Sequence, residues 1–260
     1  MIKQIKYKNV TWLDVSAPTR EEIDNLARKY NLHPVATEEL ILPSSRSKVD
    51  WYEDYIYLTL HFPTNSKKIV EIDFILGQDF VLTTHYEVVP PLAEFAQILD
   101  GGSDGKKEKS FHAGHLFYYM IRELYGPLEA ELDGANHRLK QIEEKIFAGH
   151  EDSVVRDLSQ INRQLLDIKW ALKFHHEVLN SLVSIGKEFY GDKFNYYLQA
   201  IIGEYERIAE LVKSNREIFT ELHNTNESLL VIKNNRMMRW LTALVALFSL
   251  ISLIGLFLTL

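Results

Sequence analysis

Apolar and polar positions follow two different periods along the chain. "YIYLTLHF" (55–62) alternates strictly, with Ile56, Leu58, Leu60 and Phe62 on one face and Tyr55, Tyr57, Thr59 and His61 on the other. That period of two is the signature of a strand. "KIVEIDFIL" (68–76) alternates in the same way, and a "GQD" turn leads into "FVLTTHY" (80–86), which predicts a hairpin. "VTWLDV" (10–15) reads as another strand. "SAPTREEIDNLARKYN" (16–31) reads as a helix with Thr19 and Glu22 placed for a capping box. "HPVATEEL" (33–40) predicts a short helix from Pro34, and "PLAEFAQIL" (91–99) a further one. Together they predict an α+β domain over 1–100, a mixed and largely antiparallel sheet with flanking helices. It contains no glycine-rich phosphate loop and no nucleophile elbow.

"DGGSDGKKEKS" (100–110) has no periodicity and reads as a linker, assigned to 101–110. Beyond it the period becomes helical. One helix is expected from Phe111 to Ala148. A second is expected from Asp152 to Gly186, capped by Asp152 or Ser153, with Leu158, Ile161, Leu165, Ile168 and Leu172 as its apolar stripe. "GKEFYGDKFN" (186–195) reads as a break. A last helix then runs from about Tyr196 to the end without a proline. About 65 residues at the α-helical rise make about 98 Å, the length of a stalk. The second part is thus a helical bundle and stalk over 111–239, followed by an apolar segment over 240–260.

The stalk carries two seams. Leu198, Ile201, Tyr205, Ile208, Val212, Asn215, Phe219, Leu222, Asn226 and Leu229 step alternately by three and four, a heptad seam that should pack on other helices. Asn215 and Asn226 interrupt it where a polar residue can set register. The second seam passes through Glu210, Glu217, Glu221 and Asn224, then through Met238, Thr242, Val245, Ser249 and Ser252. On the stalk it is either a solvated face or, in a symmetric oligomer, a set of carboxylate rings that concentrate cations. In the apolar segment its hydroxyl residues either pack against small neighbours or line a polar path.

From Trp240 to Leu260 there is no charged residue, no proline and one glycine. As a helix this segment spans about 31 Å, enough to cross a bilayer. Lys233, Arg236 and Arg239 flank it, and the positive-inside rule puts that flank in the cytoplasm. The expected location is the cell (inner or plasma) membrane, with residues 1 to about 235 cytoplasmic. The net charge of −7 gives no support to nucleic-acid binding, and the absence of cysteine excludes disulfides, thiolate metal sites and thiol nucleophiles. The N-terminus has no apolar run of signal-peptide type.

Smaller constellations carry less. His112 and His115 stand three apart and His175 and His176 are adjacent, but no acid or cysteine sits at a matching spacing, so ordinary helix-surface histidines are expected. Asp50, Glu53 and Asp54 cluster near a strand end, as a solvated loop or a weak Mg2+ contact at a subunit interface. No catalytic constellation is visible, and no enzyme is expected.

"NNRMMRWLT" (234–242), entering an apolar helix after a long stalk, resembles the start of the first transmembrane helix of the CorA family of divalent-cation channels. "WLDVSAPTREEIDNLARKYNLHP", "RSKVDWYEDYIYLTLHF" and "IDFILGQDFVLTTHYE" resemble that family's cytoplasmic domain in order and spacing. "HLFYYMIRELYGPLEAELDGANHRLKQIEEKIF" resembles its first long helix. The resemblance covers essentially the whole chain. It implies a homopentamer with a cytoplasmic funnel, in which the last helix lines a pore for Mg2+. Its partners would be further copies of itself, the lipid bilayer and divalent cations. No cofactor is implied beyond Mg2+ as transported and regulatory ion. By the same resemblance Asn235 is a pore asparagine near the cytoplasmic mouth, and Met238 and Leu241 fall at an apolar constriction. Thr242, Val245, Ser249 and Ser252 continue the lining.

The chain departs from the family pattern in several places. Its Gly-Met-Asn signature, second transmembrane helix and basic tail are not among these residues, so the chain is expected to be a fragment ending in or just after the first span. "FSLISLIG" replaces the usual mid-helix proline, and the stalk acids that help bind regulatory Mg2+ align with Ala200 and Gly203, with Glu204 the nearest acid. The expected function is divalent-cation transport, most of all of Mg2+. The alternatives are Zn2+, Co2+ or Ni2+ transport within the same family, and a single-span anchored scaffold without transport. Apart from the Met238 thioether the path offers no soft ligand, which favours the hard cation.

Overall fold

Six strands form: β1 (Ile2–Tyr7), β2 (Val10–Ser16), β3 (Lys48–Trp51), β4 (Ile56–Pro63), β5 (Ile69–Leu76) and β6 (Phe80–His85). The computed structural model describes residues 2–44, 46–64, 68–101 and 110–258, with side chains as far as Ser252. The strands make one mixed sheet in the order β1-β2-β6-β5-β4-β3. All neighbouring pairs are antiparallel except β2 and β6, which are parallel because a long crossover separates them. The expected hairpin joins β5 to β6, where Gly77 N–H donates to Phe80 O at 2.9 Å. The pattern did not show β1 and β3. Both are edge strands that bury little, so neither alternates cleanly.

Among the described residues the α-helices are α1 (Arg20–Tyr30), α2 (Pro34–Glu39), α3 (Pro90–Gly101), α4 (Ala113–Phe147), α5 (Val155–Ala171), α6 (His175–Tyr190) and α7 (Asn195–Leu258). The capping box of α1 is formed: Glu22 N–H donates to Thr19 Oγ1 at 3.2 Å and Thr19 N–H to Glu22 Oε2 at 2.9 Å. Asn31 ends the helix in the left-handed region, φ 50. The expected linker falls mainly on 102–109, outside the described residues.

The chain divides into two compact units, Met1–Gly134 with Arg163–Ser214, and Ala135–Asn162 with Asn215–Leu260. In the first unit both faces of the sheet are covered. Leu13, Val15, Tyr57, Ile75 and Leu82 pack with α1 and α2. On the other face Trp12 meets Phe95 of α3, Phe74 meets Phe117 of α4, and Phe62 meets His175 of α6. The alternation in β4 therefore does not separate a wet face from a dry one. The polar face is buried as well, because its polar atoms bond one another. The Tyr57 hydroxyl donates to Asp73 Oδ1 at 2.9 Å, Thr59 Oγ1 to the same oxygen at 2.8 Å, and Thr84 Oγ1 to Asp73 Oδ2 at 2.9 Å. Burial, and then the nearby Glu71 charge, raise the Asp73 pKa to about 6 against these bonds.

The single helix expected over 152–186 is two helices. A tight turn at 172–174 separates α5 from α6. The turn brings His175 into the core, fully buried, where its ring bonds two other elements. The expected cap is also corrected: Ser153 Oγ donates backwards to His150 O at 2.8 Å, and α5 starts at Val155. The stripe Leu158, Ile161, Leu165, Ile168 and Leu172 is buried throughout. The expected break is shorter than 186–195. Helix α6 continues to Tyr190, and Gly191 at φ 92 ends it before a short 3-10 turn, Asp192–Phe194.

In the second unit Leu139, Ile142, Ile146 and Leu222 are buried. Asn136 Nδ2 donates to the buried Asn215 Oδ1 at 3.0 Å, so one polar interruption of the heptad seam is bonded. The other, Asn226, is buried with its Oδ1 unpartnered among the described residues. Gly149 closes α4 in the left-handed region, φ 86. Its N–H donates to Ile146 O at 3.1 Å and the next N–H to Lys145 O at 3.0 Å.

Candidate ion pathway on the last helix

Helix α7 forms without interruption because its sequence contains no proline and, after Gly203, a single glycine, Gly255. Asn235, Met238, Thr242, Val245, Ser249 and Ser252 step by three or four residues and share one face. At the helical rotation Leu241 is turned from Met238 by roughly 60° and flanks that face. Asn235, Met238 and Thr242 line a shallow concavity of about 640 Å3 with Arg239, Ala243 and Ala246. Arg239, in the sequence a charge flanking the apolar segment, stands one turn after Asn235 and joins this lining.

The hydroxyls on this face are anchored to their own helix. Thr242 Oγ1 donates to Met238 O at 2.8 Å, Ser249 Oγ to Val245 O at 2.9 Å, and Ser252 Oγ to Phe248 O at 2.9 Å. A hydroxyl that spends its proton in this way keeps its oxygen as an acceptor. The face therefore carries acceptors in an apolar setting. Met238 is 62% exposed and Val245 64%, so nothing among the described residues covers it.

Lys233 precedes this face. Its ammonium pairs with Asp152 at 2.5 Å and Glu151 at 3.4 Å in the loop before α5. The hydrogen bond to Asp152 is the largest cause of its raised pKa; Lys233 and Asp152 are exposed, and Glu151 is mostly covered.

The stalk acids are separated by the unit boundary. In the first unit Glu210 is exposed and lies 3.8 Å from Lys213. In the second, Glu217, Glu221 and Asn224 are exposed. Ala200 and Gly203 are exposed, and the nearby Glu204 is held by Arg207 at 2.5 Å and Arg122 at 3.7 Å. Its charge is already matched by two guanidinium groups.

Of these four histidines, His176 is an exposed helix-surface residue as expected, and the other three are partly or fully buried. The His112 and His115 rings lie 3.9 Å apart, centre to centre, tilted by 55°, with Phe194 edge-on to both. Burial, and then the His115 charge, push the His112 pKa down to about 4. His175 is enclosed, and burial lowers its pKa to about 3. Asp50 is engaged by Lys48 at 2.7 Å, and Lys48 also reaches Glu39 at 2.5 Å. Among the described residues no three His, Asp or Glu side chains are grouped to hold a metal ion. Among them, too, no helix is long and apolar enough to cross a membrane; the expected span over 240–260 continues past the last described side chain.

Comparison with known proteins follows this architecture along its length. A family model described as CorA-like Mg2+ transporter protein matches residues 7–257. The YfjQ protein of Bacillus subtilis is 23% identical over 238 residues, 91% of this chain and 74% of that protein. The cobalt/magnesium transport protein CorA of Thermotoga maritima is 23% identical over 247 residues, 92% of this chain and 69% of that protein. The solved structure of the full-length CmaX protein superposes with a TM-score of 0.80 at 16% identity, covering 94% of this chain and 76% of that one. At such identity the superposition speaks to the fold.

Proposed function

The chain belongs to the CorA-like Mg2+ transporter family, and from that premise we propose that it is a subunit of a divalent-cation channel with α7 beside the ion path. The carrying observation is the exposed face of α7, where Asn235, Thr242, Ser249 and Ser252 set oxygen acceptors among apolar residues. Mg2+ gives up its water shell reluctantly, and the protons of that shell point outward as donors. A path for the hydrated ion needs acceptors spaced along an otherwise unreactive wall rather than a cage of carboxylates. Met238 and Leu241 supply an apolar narrowing that can gate by dewetting.

A single face of one helix encloses nothing, so the path requires further copies of the chain, five by family resemblance. The proposed span is 240–260, with Lys233, Arg236 and Arg239 holding residues 1 to about 235 on the cytoplasmic side. The exposed acids Glu217 and Glu221 would then form rings that draw cations to the mouth. The name of the Thermotoga relative pairs cobalt with magnesium, which makes Co2+ the first competing cargo to measure.

The deciding experiment is Mg2+ influx into liposomes bearing the full gene product, with Co2+, Ni2+ and Zn2+ as competitors. Flux above empty liposomes that Asn235→Ala reduces supports the proposal. Absence of flux from correctly inserted protein favours a membrane-anchored scaffold instead.

A further inference from the structure

We propose that a second site, remote in sequence from the α7 face, binds a small organic ammonium ion through Glu71. The site is a cavity of about 590 Å3 in the first unit, bounded by β4, β5 and the turn between α5 and α6. That volume is ordinary for a small-molecule pocket, and so is a mainly apolar wall with few polar groups.

Glu71 is 8% exposed. Its Oε2 accepts the Ser44 amide at 2.5 Å and stands 3.4 Å from His61 Nε2. Its Oε1 is buried with no partner. A buried carboxylate oxygen with no partner is costly, so a donor entering the cavity is favoured there. The neighbouring donors are already used. His61 Nε2 lies 2.9 Å from Ser44 O, which can only accept, so this nitrogen carries the proton; Nδ1 then accepts from Ser47 Oγ at 2.9 Å. The Tyr86 hydroxyl donates to Leu40 O at 2.9 Å.

The free carboxylate oxygen selects a cation, and the remaining wall selects its kind. Glu87, the other acid on the wall, is paired with Lys68 at 2.7 Å, and among the described residues no three acids or histidines are grouped to hold a metal ion. The other wall is aromatic: Trp170, 63% exposed, and Phe174 line the cavity. These rings already attract an ammonium, since Lys173 Nζ stands 5.7 Å from the Trp170 ring centre and 4.8 Å from that of Phe174. Such faces suit an alkylammonium or arylammonium body. The guest would direct its N–H groups to Glu71 Oε1 and lay its carbon skeleton on Trp170. Lys173, exposed on the rim, is the internal competitor for the same oxygen.

The test is calorimetric titration of the full chain with benzylammonium chloride, with benzyl alcohol as the neutral isostere. Saturable binding is expected, weakened roughly tenfold or more for the alcohol and for Glu71→Gln. Lys173→Ala should bind at least as well as the parent. If Glu71→Gln does not fold, the alcohol comparison and Trp170→Ala, a change at an exposed residue, still decide: both must weaken binding. No saturable heat, equal binding of amine and alcohol, or binding seen only in Lys173→Ala would each overturn the proposal. So would competitive displacement of benzylammonium by equimolar MgCl2, which would make Glu71 a metal ligand.

Discussion

The hydroxyl of Tyr125 lies 2.7 Å from Nδ1 of His175, inside a core where both side chains are fully enclosed. The other ring nitrogen, Nε2, lies 2.9 Å from the carbonyl oxygen of His61. A carbonyl only accepts, so Nε2 holds the proton and Nδ1 accepts from Tyr125. One neutral imidazole thus ties α4, α6 and β4 together. Tyr125→Phe leaves Nδ1 buried without a donor and should lower the unfolding free energy by about 1–3 kcal/mol. Chemical denaturation of the two proteins, compared at constant detergent, measures it.

The same ring sets a pH dependence. The His175 pKa is about 3 in the folded state, against an ordinary 6.5. The unfolded chain takes up a proton below 6.5 that the native chain refuses, so this contribution is present above that pH and is lost as pH falls toward 3. His175→Gln can keep a donor and an acceptor but cannot titrate. The stability of the parent relative to this variant should therefore decline steadily between pH 7 and pH 4. A constant difference would mean that His175 is charged in the native core.

Asp73 works in the opposite sense. Its folded pKa of about 6 exceeds the ordinary 3.8, so the native state holds the proton more tightly. The contribution is complete below 3.8 and is lost as pH rises through 6. Measured against Asp73→Asn, the parent should gain stability on acidification from pH 7.5 to pH 4, by on the order of 3 kcal/mol. Thermal unfolding at several pH values distinguishes this slope from that of His175.

Gly149 has a left-handed backbone with open space around its missing side chain. Gly149→Ala meets no neighbour, so its cost is conformational alone, about 1–2 kcal/mol. Its effect on unfolding should be local to the second unit, and hydrogen exchange of the residues flanking 149 should rise before that of the sheet.

For the proposed path, Met238→Trp enlarges the side chain at the apolar narrowing and should abolish most Mg2+ flux in liposomes. Asn235→Ala removes the amide acceptor and should lower the initial rate by roughly tenfold. Lys213→Ala, at an exposed stalk position, serves as the unchanged control. Equal flux in all three proteins would place the ion path elsewhere.

Local rules made much of this protein legible. The capping box at Thr19 and Glu22 depends on four consecutive residues and formed as the sequence implies. The strands β4, β5 and β6 follow from alternation, and α7 follows from long periodicity without proline, because those signals lie within one element. The order of motifs along the chain also carried the family. The edge strands β1 and β3 were not visible, since a strand that buries one residue in six, or none, has almost no pattern.

The tertiary structure decided what depends on partners distant in sequence. Alternation in β4 gathers polar residues on one face, yet Asp73 on β5 accepts from its Tyr57 and Thr59 hydroxyls, and Thr84 on β6 donates to the other Asp73 oxygen, so that face can be buried. The turn at 172–174 has no glycine or proline to announce it; it exists because His175 gains bonds to Tyr125 and His61. Glu71 looks like any polar residue on an alternating strand, and only the fold encloses it with one oxygen unmet. Sequence determined the strongly patterned elements and the lineage because these are written in neighbouring residues. Burial and charge state were decided by the fold, because each is a property of what surrounds an atom.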